Sequence, residues 1–238
     1  WLKLFLLHCS VAMASQQEWT NPDGSPWVPP TYFAVLDFEA TCEDGDRKWP
    51  NEIIEFPTVL IDAATLKTVD EFRTFVKPVL NPQLTPFCTK LTGITQDQVD
   101  EGLTIQDTMA AYQVWCHKHG LTPENTLFVT CGDWDLNRML PAQLKYDHST
   151  MEIDPIFHKW CNIKKIFGEL RGQGRPGGMT AMLDGLQLPL VGRHHSGIDD
   201  CRNIARILCK LVEDHGRTAV YENGFRVPKA YKKAAAQT

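Results

Sequence analysis

Residues 35–44, VLDFEATCED, lead a short apolar run into two acidic residues, Asp37 and Glu39. The run predicts a β-strand over residues 32–39, although acidic residues are depleted in strands and are seldom buried without a partner. Residues i and i+2 of a strand face the same side, about 6.5 Å apart, so both carboxylates would point at one spot. Either they hold a cation such as Mg²⁺ or Mn²⁺, which prefer oxygen ligands, or the strand ends in water. This motif alone leaves both interpretations open.

The composition is that of an ordinary globular protein, since 43% of the 238 residues are hydrophobic and 22% are charged. The length suits one large domain with tails. A formal net charge of −5 argues against a basic protein that coats DNA. It leaves room for an enzyme that meets nucleic acid in a metal-loaded cleft, because bound cations reverse the local charge. No apolar run is long enough to predict a membrane span.

The cysteines and the chain ends bear on location. Eight cysteines contain no CxxC pair, which disfavours a zinc finger, and a chain of this size does not need disulfides. We therefore expect reduced thiols. The first residues, WLKLFLLHCSVAMA, resemble a signal peptide with a cleavage site, but the apolar stretch is short, contains a histidine and does not begin with Met. With Met13 as an alternative start, an intracellular location, in the cytoplasm or nucleus, is the favoured prediction.

Domain boundaries follow from composition. A leader rich in Pro, Asn, Gly and Ser occupies residues 1–30, and a partly basic tail occupies residues 222–238. Between them, residues 31–221 carry the periodic patterns of a folded domain.

The periodicity of the domain begins with strands and then alternates strands with helices. Three strands joined by short turns predict an antiparallel meander. The order as a whole predicts an α/β fold with a mixed five-stranded sheet flanked by helices. The predicted strands cover residues 32–39, 53–61, 71–76, 126–130 and 159–163. The predicted helices cover residues 83–91, 95–99, 104–119, 133–145, 164–170, 180–185 and 199–214.

A second acidic motif follows the fourth strand, in VTCGDWDL. Asp133 has the position of a helix N-cap, and Asp135 lies in the first helical turn. An acid there is also explained by the favourable helix dipole on an exposed face, so Asp135 alone is not diagnostic.

The third segment, GRHHSGIDDCRNIARIL, places two histidines in a glycine-containing loop ahead of a strong helix. Loops before helices often present catalytic groups, and histidine is the commonest general base. The simpler interpretation makes His195 a surface loop residue and Asp199 a cap. Combined with the other two motifs, however, the segment completes a set of carboxylates and one base. That is the inventory of a two-metal hydrolytic site.

At this point the sequence resembles a known family, the DEDDh 3′-to-5′ exonucleases, which have an RNase H-like fold. The motifs are DFEAT, the second Asp of GDWDL, and His195 five positions before Asp200. EIIEFP, QLTPFCTKLTGITQDQVD, FVTCGDWDL and GRHHSGIDDCRNIARI resemble the branch that includes the histone-mRNA 3′ exonuclease and the enhancer-of-RNAi proteins. QLTPFC and CGDWDLNRMLP are most similar to its prion-protein-interacting group. The resemblance covers residues 31–213, so the domain over 31–221 would be an exonuclease domain.

The resemblance implies a role for each motif residue. Asp37, Glu39, Asp135 and Asp200 would hold two Mg²⁺ or Mn²⁺ ions. His195 would take a proton from the attacking water, with Glu39 also part of the catalytic centre, and a nucleoside 5′-monophosphate would leave.

The implied substrate contacts come from separate segments: Ala40, Thr41, Phe87, Leu91, Trp134 and His195 itself. The backbone of Ala40 would touch the terminal ribose. Phe87, Leu91 and Trp134 would flank the terminal base, as aromatic side chains do in single-strand binders. Without the resemblance, Phe87 and Leu91 would be assigned to core packing.

Two departures from the family pattern stand out. Most relatives have Pro where this chain has His194, and spacing selects His195 rather than His194 as the base. The histone-mRNA enzyme also has an N-terminal nucleic-acid-binding module, for which the residues ahead of this domain are too few. We therefore do not expect recognition of a histone stem-loop.

The leading hypothesis is a metal-dependent 3′-5′ exoribonuclease that acts as a monomer on RNA 3′ ends, single-stranded or with short overhangs, in small-RNA or rRNA processing. It predicts no membrane association and specifies no protein partner. A single-stranded DNA exonuclease and a catalytically idle RNA-binding scaffold remain alternatives. GQGRPG, residues 172–177, matches a dinucleotide fingerprint, but it follows a helix and not a strand, so we reject it.

Overall fold

A computed structural model describes residues 29–46, 49–146, 152–172, 177–217, 220 and 225–226. Nearly all of the predicted leader and most of the predicted tail lie outside these residues, as do residues 173–176 of the rejected glycine motif. The described part is a mixed sheet with helices on both faces.

The strands are β1 Tyr32–Leu36, β2 Glu39–Ala40, β3 Ile53–Asp62, β4 Thr68–Phe75, β5 Thr126–Thr130, β6 Trp160–Asn162 and β7 Phe225–Arg226. The α-helices are α1 Pro86–Thr92, α2 Gln96–Asp100, α3 Ile105–Lys118, α4 Leu140–Tyr146, α5 Ile163–Leu170, α6 Met179–Gly185 and α7 Gly197–His215. A π-helical turn, Asp135–Met139, leads into α4, and a 3₁₀ turn, Pro155–His158, precedes β6.

The predicted meander is confirmed. β3 pairs antiparallel with β1 on one side and with β4 on the other, while β5 runs parallel to β1 and β6 parallel to β5. Parallel neighbours need long crossover connections, which α1, α2 and α3 supply between β4 and β5. The carboxyl ends of β1 and β5 therefore meet at one edge of the sheet, the usual position of ligand sites in α/β folds.

Strand β1 is buried on both faces, which explains its continuous apolar run. Phe33 and Val35 belong to one core with residues of α5, α6 and α7, and Ala34 and Leu36 belong to the other with residues of α3 and α4. Burying large apolar side chains contributes about 1.5–3 kcal/mol each, so both helical layers are held firmly to the strand that precedes Asp37.

The first strand is shorter than predicted, because β1 ends at Leu36 and pairing resumes only at Glu39. The partner register is unchanged: Leu36 lies opposite Thr58, and Glu39 lies opposite Glu55. This register places Asp37 across from Pro57, which has no backbone N–H to donate to a ladder. The strand is therefore interrupted at Asp37 without changing the side to which its neighbours point.

Other boundaries also differ from the prediction. In the described residues the sheet has seven strands, because the two-residue strands β2 and β7 join the five predicted ones. Strand β7 lies within the predicted tail and pairs with β6. Helix α7 begins at Gly197, two residues before the predicted start at Asp199. The two-residue strands β2 and β7 carry too few residues for a periodic signal in the sequence.

Two further expectations can be compared with the structure. Within the ranges given above, no helix combines the length and hydropathy needed to cross a membrane. The seven cysteines that the structure describes are all free thiols, and Cys9 lies outside the described residues.

Candidate metal-dependent nuclease site

Three predicted carboxylates meet at the carboxyl end of β1. Oxygen atoms of Asp37, Glu39 and Asp200 all lie within 4.8 Å of one another. Asp37 follows β1, Glu39 begins β2, and Asp200 lies in the first turn of α7. Phe38, between the two acids, is 5% exposed and packs in the core. The alternation predicted from the sequence is therefore present in spite of the strand break.

Asp135 approaches the cluster from the turn that follows β5. It is buried in the π-helical turn after β5, and its Oδ1 accepts the backbone N–H of Phe38 at 3.0 Å. This bond uses a donor that the interrupted ladder leaves free, and it fixes Asp135 beside Asp37. The helix predicted over residues 133–145 corresponds to this turn and α4, and its first turn is π-helical, a feature frequent at functional sites.

The pKa values of all four carboxylates are shifted upward, with burial as the largest cause. Burial, followed by the charges of Asp135 and Glu39, raises the pKa of Asp37 well above its ordinary value. Burial, followed by Asp200, raises the pKa of Glu39 to about 8. Burial likewise raises the pKa of Asp135 and of Asp200 to about 6 each. Each shift has the sign of a carboxylate whose charge is not compensated.

A divalent cation fits this environment. The Oδ1 atom of Asp200 is buried without a hydrogen-bond partner, and a buried, unpaired carboxylate oxygen is costly unless something binds it. Hard oxygen donors converging on one point are the ligands that Mg²⁺ and Mn²⁺ prefer. A bound cation would satisfy the orphaned oxygen and would reverse the pKa shifts of its neighbours.

His195 lies beside the cluster in a constrained loop. Its backbone adopts a left-handed conformation, with φ of 64°, and its N–H donates to Asp200 Oδ2 at 2.9 Å. The ring stacks on His194 with 3.9 Å between centroids. Burial, with smaller effects of His194 and Arg193, lowers the pKa of His195 below its ordinary value. A half-buried imidazole with a lowered pKa next to the carboxylates has the properties of a general base.

Glu55 is a part of this site that sequence reasoning missed. It is fully buried in β3, where its carboxylate accepts the N–H groups of Gly197 at 3.0 Å and Ile198 at 3.3 Å. Arg73 of β4 donates to the same carboxylate at 2.7 Å. Ser196, the N-cap residue, makes no side-chain cap, so Glu55 supplies the cap for α7 from the sheet. It thereby fixes the helix that carries Asp200.

Arg193 was missed as well, and it connects the histidine loop to α1. Its guanidinium donates to the carbonyl oxygens of Lys90 at 2.7 Å and Leu91 at 3.2 Å. These carbonyls belong to the last turn of α1, where a cation is favoured by the helix dipole. The guanidinium lies directly against Gly93. A Cβ atom at position 93 would overlap it.

Comparison with known proteins agrees with this geometry. A family model described as exonuclease (RNase_T) matches residues 34–208, which include the four carboxylates and His195. The chain belongs to the exonuclease family. The resemblance inferred from the motifs and the predicted fold class are thereby confirmed.

Curated relatives that the chain matches are named exoribonucleases. Over 183 residues this chain is 46% identical to human ERI1 exoribonuclease 3, covering 76% of this chain and 53% of the relative. Over 189 residues it is 39% identical to human 3′-5′ exoribonuclease 1, covering 77% of this chain and 53% of the relative. The chain thus spans about half the length of the curated relatives it matches.

Solved structures give the same family. A structure of a 3′-exonuclease recognising the histone mRNA stem-loop superposes with a TM-score of 0.76 and 35% identity, covering 84% of this chain and 86% of that one. The nuclease domain of 3′hExo, a DEDDh family member bound to rAMP, superposes with a TM-score of 0.75 and 38% identity. The superposition covers 78% of this chain and 94% of that one.

The predicted substrate-binding residues of this chain differ in how exposed their side chains are. Phe87 and Leu91 are half-buried on α1, four residues apart and so on one face. Trp134 is 41% exposed, unusually so for tryptophan. These three side chains are available to a ligand, and their assignment stays a prediction.

Ala40 and Thr41 lie on the segment after Glu39. Ala40 is half-buried in β2. The hydroxyl of Thr41 bonds Pro50 and Glu52, and its carbonyl accepts from Asn51. Because the polar groups of Thr41 are engaged within the protein, its predicted substrate contact has no support from the geometry.

Proposed function

We propose that this exonuclease-family chain is a metal-dependent 3′-5′ exoribonuclease that releases nucleoside 5′-monophosphates from RNA 3′ ends. The observation that carries the proposal is the convergence of Asp37, Glu39 and Asp200 within 4.8 Å, with the loop of His195 bonded to Asp200. The names of its relatives, and the rAMP bound by one solved relative, support the same reaction.

The carboxylates hold the metal. We assign Asp37, Glu39, Asp135 and Asp200 as ligands of two Mg²⁺ or Mn²⁺ ions. Bound there, the ions supply Lewis-acid stabilisation of the phosphate and of the attacking and leaving oxygens. The orphaned Oδ1 of Asp200 and the raised pKa values of the cluster favour cation binding.

His195 acts as the base. The half-buried imidazole accepts the proton of the attacking water, while its backbone N–H, donated to Asp200 Oδ2, keeps the loop in register with the carboxylates. Glu39 lies within the same cluster, and we assign it to the catalytic centre together with His195. Glu55 of β3 accepts the N–H of Gly197 and so holds α7, with Asp200 and the histidine loop, against the sheet.

RNA binding is assigned to the exposed apolar residues near the site. Phe87, Leu91 and Trp134 offer partly exposed apolar surface on which a terminal base can stack. One solved relative recognises the 3′ end of the histone mRNA stem-loop. For this chain we propose RNA 3′ ends, single-stranded or with short overhangs, as substrates, a monomeric intracellular enzyme, and a role in small-RNA or rRNA processing.

The test uses purified protein, 5′-labelled single-stranded RNA and Mg²⁺. We expect a ladder that shortens from the 3′ end, releases 5′-monophosphates and stops on addition of EDTA. Asp37→Ala should abolish the ladder. Asp44→Ala is the matched control, since Asp44 belongs to the same acidic stretch but is exposed in a turn, and it should keep activity. A ladder that survives EDTA or Asp37→Ala would contradict the proposal.

A matched digest separates the alternatives. Metal chemistry at phosphate does not depend on the sugar, and discrimination comes from contacts to the 2′-OH. RNA and DNA strands of the same sequence should be digested in parallel. Faster digestion of RNA supports the proposal, faster digestion of DNA indicates a deoxyribonuclease, and binding without digestion indicates an idle scaffold.

A further inference from the structure

Two cysteines lie next to each other beside the proposed active site. Cys42 follows the segment of Glu39 and Ala40, and Cys88 lies in the first turn of α1. Cys42 packs against the small cluster that contains Cys88, and one hydroxyl, that of Thr85, bonds the backbone of both residues. They are 46 positions apart in sequence, so the fold brings them together. Neither has a role in the proposed hydrolysis.

A network of short bonds holds the pair in place. The Thr85 hydroxyl donates to the carbonyl oxygen of Cys42 at 2.7 Å and accepts the N–H of Cys88 at 3.0 Å. The Cys88 thiol also lies 3.7 Å from the carbonyl oxygen of Ala40, to which it donates. The backbone of residues 40–42 and the N-terminus of α1 are therefore joined at this point.

The surroundings suit a thiol reaction. Cys88 is fully buried among Ile54, Ile94 and Val99, whereas Cys42 is only partly buried and packs against the same cluster. A small oxidant can therefore reach the pair from the side of Cys42. The interaction between the two thiols raises the pKa of Cys42 and lowers the pKa of Cys88 to about 7, so Cys88 is the sulfur that forms the reactive thiolate.

We propose that Cys42 and Cys88 form an oxidation site that closes to a disulfide in response to a peroxide. One sulfur, as thiolate, attacks a peroxide oxygen to form a sulfenic acid and releases hydroxide, which is protonated to water. The second thiol then attacks the sulfenic sulfur, forms the S–S bond and releases a second water. Overall, two thiols and one hydrogen peroxide give one disulfide and two waters. A dithiol reductant reverses the reaction.

Closure would change the RNA-binding surface. A disulfide requires an S–S distance of about 2.05 Å, much shorter than a contact between two thiols, so α1 and residues 40–42 must approach each other. Phe87 and Leu91 belong to α1 and would move with it, and the carbonyl oxygen of Ala40 accepts a hydrogen bond from the Cys88 thiol. This consequence rests on the proposed function, because it concerns the residues assigned to the terminal nucleotide.

The first experiment measures the disulfide without reference to activity. Full-length protein is treated with hydrogen peroxide, its remaining thiols are blocked, and digestion without reduction is followed by mass spectrometry. We expect a peptide pair linked through Cys42 and Cys88 that disappears on reduction. Cys42→Ser should prevent the link, while Cys209→Ser should not, because Cys209 is half-buried on α7 and bonded to Leu66. Absence of the link in folded wild-type protein would overturn the proposal.

The second experiment measures RNA digestion and RNA binding before oxidation, after oxidation and after reduction. We expect oxidation to lower kcat/KM about tenfold or more, since ångström-scale misplacement costs up to about 10²-fold, and reduction to restore it. Cys42→Ser should resist this loss. If Cys42→Ser loses activity equally, another thiol such as Cys131 is responsible and the regulatory part is wrong.

The two readouts separate this inference from the proposed function. A linked, reducible pair in a protein that digests no RNA would leave the oxidation site standing and reject the nuclease. An active nuclease in which no link forms would reject the oxidation site alone. Normal activity of the linked form would show that closure does not affect RNA binding.

Discussion

The carboxylate of Glu55 accepts the backbone N–H of Gly197 at 3.0 Å, across 142 positions of sequence. This bond joins the sheet, which carries Asp37 and Glu39, to the helix that carries Asp200. Arg73 completes the arrangement from β4. The spacing between the two halves of the carboxylate cluster therefore depends on a buried side chain that touches no substrate.

Replacing Glu55 with Gln should misplace α7. The amide keeps the size of the side chain but leaves Arg73 without its partner, and losing a hydrogen bond to a buried charged group costs about 1.5–3 kcal/mol. We expect a lower melting temperature and a reduced kcat/KM for RNA. Glu71→Gln is the matched control, because Glu71 also bonds α7, through Arg202, but at the surface. That change should cost about 0–1 kcal/mol and keep activity. Equal behaviour of both variants would refute the role of Glu55.

Gly197 should not tolerate a methyl group. A Cβ atom at this position would lie 2.9 Å from the carbonyl oxygen of Asp37 and 2.9 Å from a side-chain carbon of Pro57. Overpacking of this kind costs about 1–3 kcal/mol, and relief would push α7 away from Asp37. We expect Gly197→Ala to lower both thermal stability and activity. Gly178→Ala, which meets no atom within 4 Å, should retain activity. A wild-type melting temperature for Gly197→Ala would contradict the close approach.

His195 and His194 should differ sharply in effect, although they are adjacent. His195→Asn suits the left-handed backbone, which Asn tolerates, and it removes the proposed base. We expect kcat to fall by about 10²–10⁴-fold with RNA affinity retained. His194→Gln should keep most of the activity. Rapid single-turnover digestion and RNA binding should be measured for both. A larger loss in kcat from His194→Gln would reverse the assignment.

Divalent metal should stabilise the fold. Without cations the four carboxylates repel one another, so ligand binding to the native state raises stability by mass action, about 2.7 kcal/mol at 100 times Kd. We expect Mg²⁺ or Mn²⁺ to raise the melting temperature, and Asp200→Asn to remove most of the effect. Asp199→Asn is the neighbouring control, since Asp199 bonds Arg193 and Arg202 instead. If the wild-type melting temperature does not change with metal, the carboxylates do not form a cation site in the free protein.

Much of the site could be predicted because its residues stand in short motifs. Asp37 and Glu39 follow an apolar run, and His195 and Asp200 flank the start of a strongly amphipathic helix. Motifs of this kind consist of residues that are close together in the sequence, so they can be recognised without knowledge of the tertiary contacts. The order of strands and helices gave the fold class for the same reason.

The supporting residues could not be predicted because their partners are distant in sequence. In the sequence, Glu55 is a single acidic residue within a predicted strand. Its partners are known only from the packing of α7 on β3. Arg193 reads as a loop cation, although it caps α1. The π-helical turn at Asp135 alters the hydrogen-bond pattern without altering the hydrophobic pattern. Pro57 signals a strand break only once the register places it opposite Asp37.

Stability at low pH should depend on Asp70, far from the site. Its carboxylate accepts from Trp115 at 3.1 Å, Lys118 at 2.9 Å and His119 at 2.7 Å, which join α3 to β4. Hydrogen bonds from Lys118 and His119 lower its pKa well below the ordinary value. A lowered native pKa means that the stabilisation is complete above the unfolded pKa, about 3.9, and is lost as the pH falls through the native pKa.

Asp70→Asn should therefore destabilise the protein at pH 7, by about 1–3 kcal/mol, and the difference from wild type should shrink as the pH falls below about 4. Urea unfolding of both proteins across this pH range, in the presence of EDTA, measures the difference directly. Asp184→Asn, an exposed change on α6, should leave the pH profile unchanged. A difference between wild type and Asp70→Asn that stays constant down to pH 3 would show that the charge of Asp70 does not stabilise the junction of α3 and β4.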